Sequence, residues 1–217
     1  MKSIALFGGT FDPVHNGHIQ SATELKQRLS LDELRLVPCH LPVHRASPGC
    51  SSEQRLAMVK LAVAGTPLQV DDREMHRNRL SYSVDTLESL RNELGDQVSL
   101  SWVMGTDAFA AFDSWHRWQD FLTLAHIIVM QRPGEVLPEA GPVAQLIAQY
   151  GTDTVEPLQQ QAAGAIRFES LTPYPVSATA IRSALSGQQA AEFKLEHSMA
   201  PAVLHYIQTH QLYGYQA

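Results

Sequence analysis

Cysteine is scarce: Cys39 and Cys50 are the only two among 217 residues. Two thiols close to one loop cannot build a disulfide framework, and unaided they cannot supply the ligands of a zinc site. They read as reduced and incidental. No apolar run approaches the roughly 18 residues a membrane-spanning helix needs, and even residues 126–130 break at Gln131. Met1-Lys2-Ser3 leads straight into a strand-like run, without the small-residue cleavage site of a signal peptide. A soluble protein kept in the cytoplasm is therefore expected, with no membrane partner. An excess of positive charge is missing too, since 16 Lys+Arg face 22 Asp+Glu for a net charge of -6. Affinity for duplex nucleic acid comes mainly from neutralising phosphates, so no nucleic-acid partner is expected. A small polyanion is still compatible with this balance, because a local cluster of donors can outweigh an acidic surface.

What is present is an ordinary globular composition, with 44% hydrophobic residues, 13 Gly and 12 Pro, which excludes disorder. Residues 3–7 form a short apolar run ending in Gly8-Gly9, the pattern of a fully buried strand followed by a turn. Residues 17–29 carry a helical pattern through Ile19, Ala22, Leu25 and Leu29, and residues 34–37 give the next strand. That strand–helix–strand unit is the building block of a parallel sheet. Ser51 with Gln54 predicts a capping box opening a helix to about Ala64. Ser81 or Ser83 can cap a helix that Gly95 ends. Strands follow at 68–70, 98–104, 127–130 and 166–171. Helices are expected at 142–150, 177–185 and 200–211, and Gln159–Gln161 marks a loop. The alternation predicts an α/β fold: a Rossmann-like open parallel sheet with helices on both faces. The chain reads as a single domain, 1–217, with a small C-terminal helical part at about 177–217.

In such sheets ligands bind outside the carboxyl ends of the strands. After the first strand comes Gly8-Gly9-Thr10-Phe11-Asp12-Pro13-Val14-His15-Asn16-Gly17-His18. His40, His44 and Arg45 follow the second. Gly105, Asp107 and then Trp115 follow a later strand, and Ser177, Thr179 and Arg182 open a late helix. The first segment has neither dinucleotide-fold nor P-loop spacing. It has two histidines three apart where a helix begins, whose unpaired N–H groups and partial positive charge suit a phosphate. Gly8, Gly9 and Gly17 remove side chains where backbone and ligand approach closely.

Residues 8–18 resemble the signature of the nucleotidyltransferase superfamily with the T/H-x-G-H motif. The full string is similar to that of bacterial nicotinate-nucleotide adenylyltransferases. Gly105-Thr106-Asp107, Arg132-Pro133-Gly134 and Val176-Ser177-Ala178-Thr179-Ala180-Ile181-Arg182 agree in order and spacing, with Val176 replacing the usual isoleucine. The resemblance implies transfer of AMP from ATP to nicotinate mononucleotide, with Mg²⁺ carried by ATP and in-line attack on the α-phosphate. It implies that His18, His15 and Arg182 are catalytic. Gly8, Gly9, Thr10, Phe11, Gly105, Asp107, Ser177 and Thr179 would join them in binding ATP. For the mononucleotide it implies Arg45 and His44 at the phosphate, Trp115 stacked on the pyridine, and Tyr82 and Ser83 at the carboxylate, Ser83 standing where threonine is frequent. Trp118 competes with Trp115 and reads more as core. No protein-held metal site is implied, and the sequence leaves the oligomeric state open. Competing readings are a phosphopantetheine or nicotinamide-mononucleotide adenylyltransferase, a non-catalytic nucleotide sensor, and a histidine-rich metal binder. The last lacks a third ligand near His15 and His18.

Overall fold

The computed structural model describes residues 1–42, 49–77, 80–131, 134–188 and 193–215. Its strands are β1 (Lys2–Gly9), β2 (Glu33–Pro38), β3 (Gln69–Val70), β4 (Val98–Gly105), β5 (His126–Gln131), β6 (Gly151–Thr152) and β7 (Ile166–Ser170). They form one sheet in the order β3-β2-β1-β4-β5-β7-β6. β1 runs parallel to β4, β4 to β5, and β7 to both β5 and β6. The helices alternating with these strands are α1 (Asn16–Arg28), α2 (Ser52–Val63), α3 (Ser83–Leu94), α4 (Thr106–Ala110), α5 (Phe121–Leu124), α6 (Pro142–Tyr150), α7 (Glu156–Gln160), α8 (Ala178–Leu185), α9 (Leu195–Ser198) and α10 (Pro201–Thr209). Strand order reverses where β1 meets β4. In open α/β sheets that switch point is where ligands sit, beyond the carboxyl ends of the strands. Among the described residues no helix is long and apolar enough to cross a membrane.

By their internal contacts the residues fall into two compact units. The first takes Met1–Gly8, Glu24–Arg35 and Tyr82–Pro173. Here Ile4, Ala5 and Leu6 of β1 face Leu100, Ser101 and Trp102 of β4, and all six are buried. Such burial on both faces is why β1 reads as an unbroken apolar run rather than as alternation, and why even Ser99 and Ser101 of β4 are buried. α3 buries Val84, Thr86, Leu87 and Leu90. From its last turn, Arg91 donates to the carbonyls of Gly95, Val98, Leu124 and Ala162 at 2.6–2.9 Å. Buried His126 bridges the Gln161 carbonyl (3.0 Å) and the Ala165 N–H (3.0 Å), and burial pushes its pKa down. It is a satisfied core histidine. The second unit takes Gly9–Thr23, Leu36–Ser81 and the C-terminal segment from Tyr174. α2 opens with the expected capping box between Ser51 and Gln54, and α10 packs on α2.

Three local expectations are corrected. β1 continues through Gly8 and Gly9 rather than turning there. Tyr82 is the N-cap of α3, with no side-chain cap, because the Ser81 hydroxyl instead accepts the N–H groups of His40 (3.1 Å) and Leu41 (3.4 Å). Gln159 and Gln160 belong to α7, which begins with Glu156-Pro157 and is anchored by buried Leu158, so the polar run is the exposed end of a helix.

Candidate functional site

In the second unit the loop after β1 folds back on itself. Phe11 takes a left-handed φ of 49°, and its buried ring meets the His18 imidazole edge-on at 5.1 Å. His15 and His18 stack with centroids 3.7 Å apart. The His15 N–H donates to His18 Nδ1 at 3.2 Å, so the neutral His18 ring carries its proton on Nε2. A Cβ on Gly17 would stand 3.0–3.1 Å from the His15 ring and 3.0 Å from Val176, a tight fit that glycine relieves. The helix predicted to start here does so: α1 begins at Asn16.

Ser177 is the N-cap of α8, its hydroxyl accepting the Ala180 N–H at 3.2 Å. One turn on, Arg182 reaches the first loop. Nη1 donates to the Asp12 carbonyl at 2.7 Å and stands 3.9 Å from Asp12 Oδ2, while Nη2 is 3.5 Å from the Thr179 hydroxyl. The structure thus ties Arg182 to the loop that carries His15 and His18, with Thr179 beside its guanidinium.

Four functional candidates escaped the sequence reading here. The Asp12 carboxylate accepts the Gly49 N–H (3.0 Å) and the Tyr213 hydroxyl (2.9 Å). The Cys50 thiol lies 3.0 Å from that hydroxyl and 3.7 Å from Asp12 Oδ1. Burial, reinforced by the nearby Asp12 charge, pushes the Cys50 pKa up to about 11 and raises that of Tyr213 as well. Arg55, on the buried face of α2, donates to the Thr10 carbonyl at 2.7 Å. Arg55 had a sequence signal: it occupies the 55-58-59-62 stripe with Met58, Val59 and Ala62. Tyr213 had none, being 201 residues from Asp12.

In the first unit, Gly8 lies against the Trp102 indole, where a Cβ would overlap the ring. Gly105 is the N-cap of α4, and the exposed Asp107 folds over it in the first helical turn. Tyr82 precedes α3, whose first turn starts at Ser83, and its ring lies 4.3 Å from that of His116, a neighbour the sequence reading did not single out. Trp115 is half-buried against Phe112 (5.6 Å) and Phe121 (6.0 Å). Trp118, expected in the core, is only half-buried, because it sits in a surface 3-10 turn with one edge on Phe112. His44 and Arg45 lie outside the described residues, as do Arg132 and Pro133. Among the described residues no group of three or more His, Cys, Asp or Glu is arranged to hold a metal ion.

Comparison with known proteins gives concordant matches. Residues 6–184 match the family model described as cytidylyltransferase-like. A protein of Cellvibrio japonicus named "Probable nicotinate-nucleotide adenylyltransferase" is 48% identical over 212 residues, covering 97% of this chain and 98% of its own. A Pseudomonas aeruginosa protein of the same name is 45% identical over 213 residues, covering 98% and 97%. Among solved structures, the nicotinic acid mononucleotide adenylyltransferase of Plasmodium falciparum complexed with NaAD superposes with a TM-score of 0.75. It covers 100% of this chain and 99% of its own at 15% identity, a likeness of fold.

Proposed function

The chain belongs to the cytidylyltransferase-like family and, within it, to the nicotinate-nucleotide adenylyltransferases, and from that premise we propose that it transfers the adenylyl group of ATP to nicotinate mononucleotide. A phosphate oxygen of the mononucleotide attacks the α-phosphorus in line. The bond from that phosphorus to the β-bridging oxygen breaks, and nicotinate adenine dinucleotide and pyrophosphate leave. The attacking phosphate is already anionic at neutral pH, so no strong base is needed; catalysis is positioning plus stabilisation of charge on phosphate oxygens. The observation that carries the reading is the His15–His18 pair at the start of α1, with Nδ1 of His18 committed to the His15 N–H. That commitment leaves Nε2–H as the ring's donor, which we assign to the α-phosphate.

The remaining roles follow the same chemistry. His15, Thr10 and the backbone of residues 8–11 hold the reacting phosphates. Ser177 and Thr179 at the start of α8, with Arg182 from its last turn, take the β and γ phosphates. Gly105 lets the adenosine approach closely, and Asp107 accepts its ribose hydroxyls. Mg²⁺ enters as part of the substrate, MgATP, and neutralises triphosphate charge. Arg45 and His44 grip the mononucleotide phosphate, and Trp115 stacks on the pyridine. The first-turn N–H groups of α3, which has no side-chain cap, receive the nicotinate carboxylate at Tyr82 and Ser83. An amide there would set its NH₂ against those donors, which favours acid over amide. The whole chain acts as one nucleotidyltransferase domain, in the cytoplasm.

The test is pyrophosphate release with MgATP and, in parallel, nicotinate mononucleotide, nicotinamide mononucleotide or phosphopantetheine. A strong preference for nicotinate mononucleotide is expected. Equal use of the amide would sink the account of Tyr82 and Ser83. Turnover of phosphopantetheine alone would move the chain to another branch, and no turnover at all would make it a nucleotide sensor.

A further inference from the structure

Arg55 is only 1% exposed, the largest fully buried side chain among the described residues. It shares the inward stripe of α2 with Met58, Val59 and Ala62, a face that normally carries apolar residues. Taking a guanidinium out of water is costly unless hydrogen bonds and an opposite charge offset it. The hydrogen bonds are there. Nη1 donates to the carbonyls of Thr10 (2.7 Å) and Cys39 (2.6 Å), and Nη2 to that of His40 (2.9 Å). The opposite charge is not: among the described residues Arg55 forms no ion pair, and its Nε has no partner. Carbonyls satisfy N–H groups but cancel no charge.

The three carbonyls belong to two chain segments that leave the sheet. Thr10 follows β1, and Cys39 and His40 follow β2; the Cys39 N–H also bonds the Gly9 carbonyl at 2.9 Å. Carbonyl and N–H of one trans peptide point opposite ways. Anchoring the Thr10 carbonyl on Arg55 therefore aims the Phe11 N–H away from the guanidinium. A full positive charge thus stands one peptide behind the loop assigned to the triphosphate, with no carboxylate paired to it among the described residues.

We infer that Arg55 is a positioning residue of the polyphosphate site: its fork holds the Thr10 carbonyl and so the fold of the segment, and its positive charge, engaged in no ion pair among the described residues, attracts an inorganic or nucleoside polyphosphate bound there. The inference rests on the adenylyltransferase reading, which makes residues 8–18 the phosphate loop. It separates two quantities. Thermal stability follows the planar fork that reaches three carbonyls, whereas polyphosphate affinity follows the charge.

The experiment measures inorganic tripolyphosphate binding by calorimetry, KM for ATP and Tm, in wild type, Arg55→Met and Arg55→Lys. Arg55→Met should weaken tripolyphosphate and raise KM for ATP by about tenfold or more, the scale of one unit charge acting on a polyanion at protein-like dielectric. Arg55→Lys, which keeps the charge but not the fork, should stay within about threefold of wild type in both while its Tm falls. Wild-type affinity in Arg55→Met overturns the inference, as does a lysine variant as weak as the methionine one. Should Arg55→Met fail to fold, Arg55→Lys decides, since a loss beyond tenfold in that variant overturns the inference. A wild type that does not turn over ATP with nicotinate mononucleotide sinks the adenylyltransferase reading instead. A wild type that turns over beside an indifferent Arg55→Met sinks only the role of Arg55.

Discussion

Replacing His18 in two different ways separates its chemical role from its structural one. Its Nδ1 accepts the His15 N–H at 3.2 Å, and its ring stacks on His15 at 3.7 Å. Alanine removes the acceptor, the stack and the Nε2 donor. Asparagine removes the stack and the donor but returns a carbonyl oxygen close to the position of Nδ1. Losing one preorganised donor to a charged transition state costs about 10²–10³ in kcat, or ~2.7–4 kcal/mol. Both variants should therefore fall by that factor in pyrophosphate release at saturating ATP and nicotinate mononucleotide. The internal hydrogen bond is worth about 1 kcal/mol net, which corresponds to roughly 2–4 °C in Tm for a chain of this size. Since the stack is lost in both, the Tm difference between His18→Asn and His18→Ala isolates that bond. An asparagine variant keeping a tenth or more of wild-type kcat would remove Nε2 from the mechanism. Equal Tm values would refute the assignment of Nδ1 as acceptor.

Gly8→Ala drives a methyl group into the buried Trp102 indole. It should destabilise by about 1–3 kcal/mol in thermal denaturation, with part of the loss recovered in the Gly8→Ala/Trp102→Phe pair; an unchanged Tm would mean the strand end shifts freely. Tyr213→Phe strips Asp12 Oδ1 of its 2.9 Å hydroxyl donor and should cost about 1–2 kcal/mol, visible as a lower Tm. Cys50 should resist iodoacetamide at pH 8, peptide mapping showing its labelling rise only toward pH 11, because burial pushes its pKa from 9.0 up to about 11. A raised folded pKa means the folded state holds the proton more tightly, so its stabilising contribution is complete below pH 9 and declines from there to about 11. Half-maximal labelling of the folded protein near pH 9 would contradict this.

The parts of the fold written in local pattern were legible. The apolar run at residues 3–7 and the Ser51/Gln54 capping box each needed only neighbours in sequence, and the structure has both where they were expected; the helix expected from Ser177 begins one residue later, with Ser177 as its cap. What escaped depends on partners that sequence distance hides. Ser81 looks like a helix cap beside Ser83, but its hydroxyl is taken by the N–H groups of His40 and Leu41, some forty residues away. Tyr213 closes onto Asp12 from the far end of the chain through a left-handed φ of 59° that no pattern announced. Arg55 stood in plain view as the one cation in an apolar stripe. Its meaning came only with the identity of the carbonyls it holds.

The glycines of the first loop carry a related lesson about what a motif encodes. Read as sequence, they are spaces left for a ligand. In the structure each considered space is already claimed by the chain itself. The Trp102 indole lies where a Gly8 side chain would go, and the His15 ring and Val176 crowd the place of one on Gly17. Val176 directly precedes Ser177, the cap of α8, so the second motif packs against the first in the space that the absent Gly17 Cβ leaves. Asp12 works in the same way: its carbonyl and carboxylate serve Arg182, Gly49 and Tyr213. A substitution at Gly17 would therefore disturb the His15–His18 stack before any ligand arrived, and Gly17→Ala should lower Tm as well as activity. The first and last of the stretches that carry the family likeness are thus coupled by protein packing.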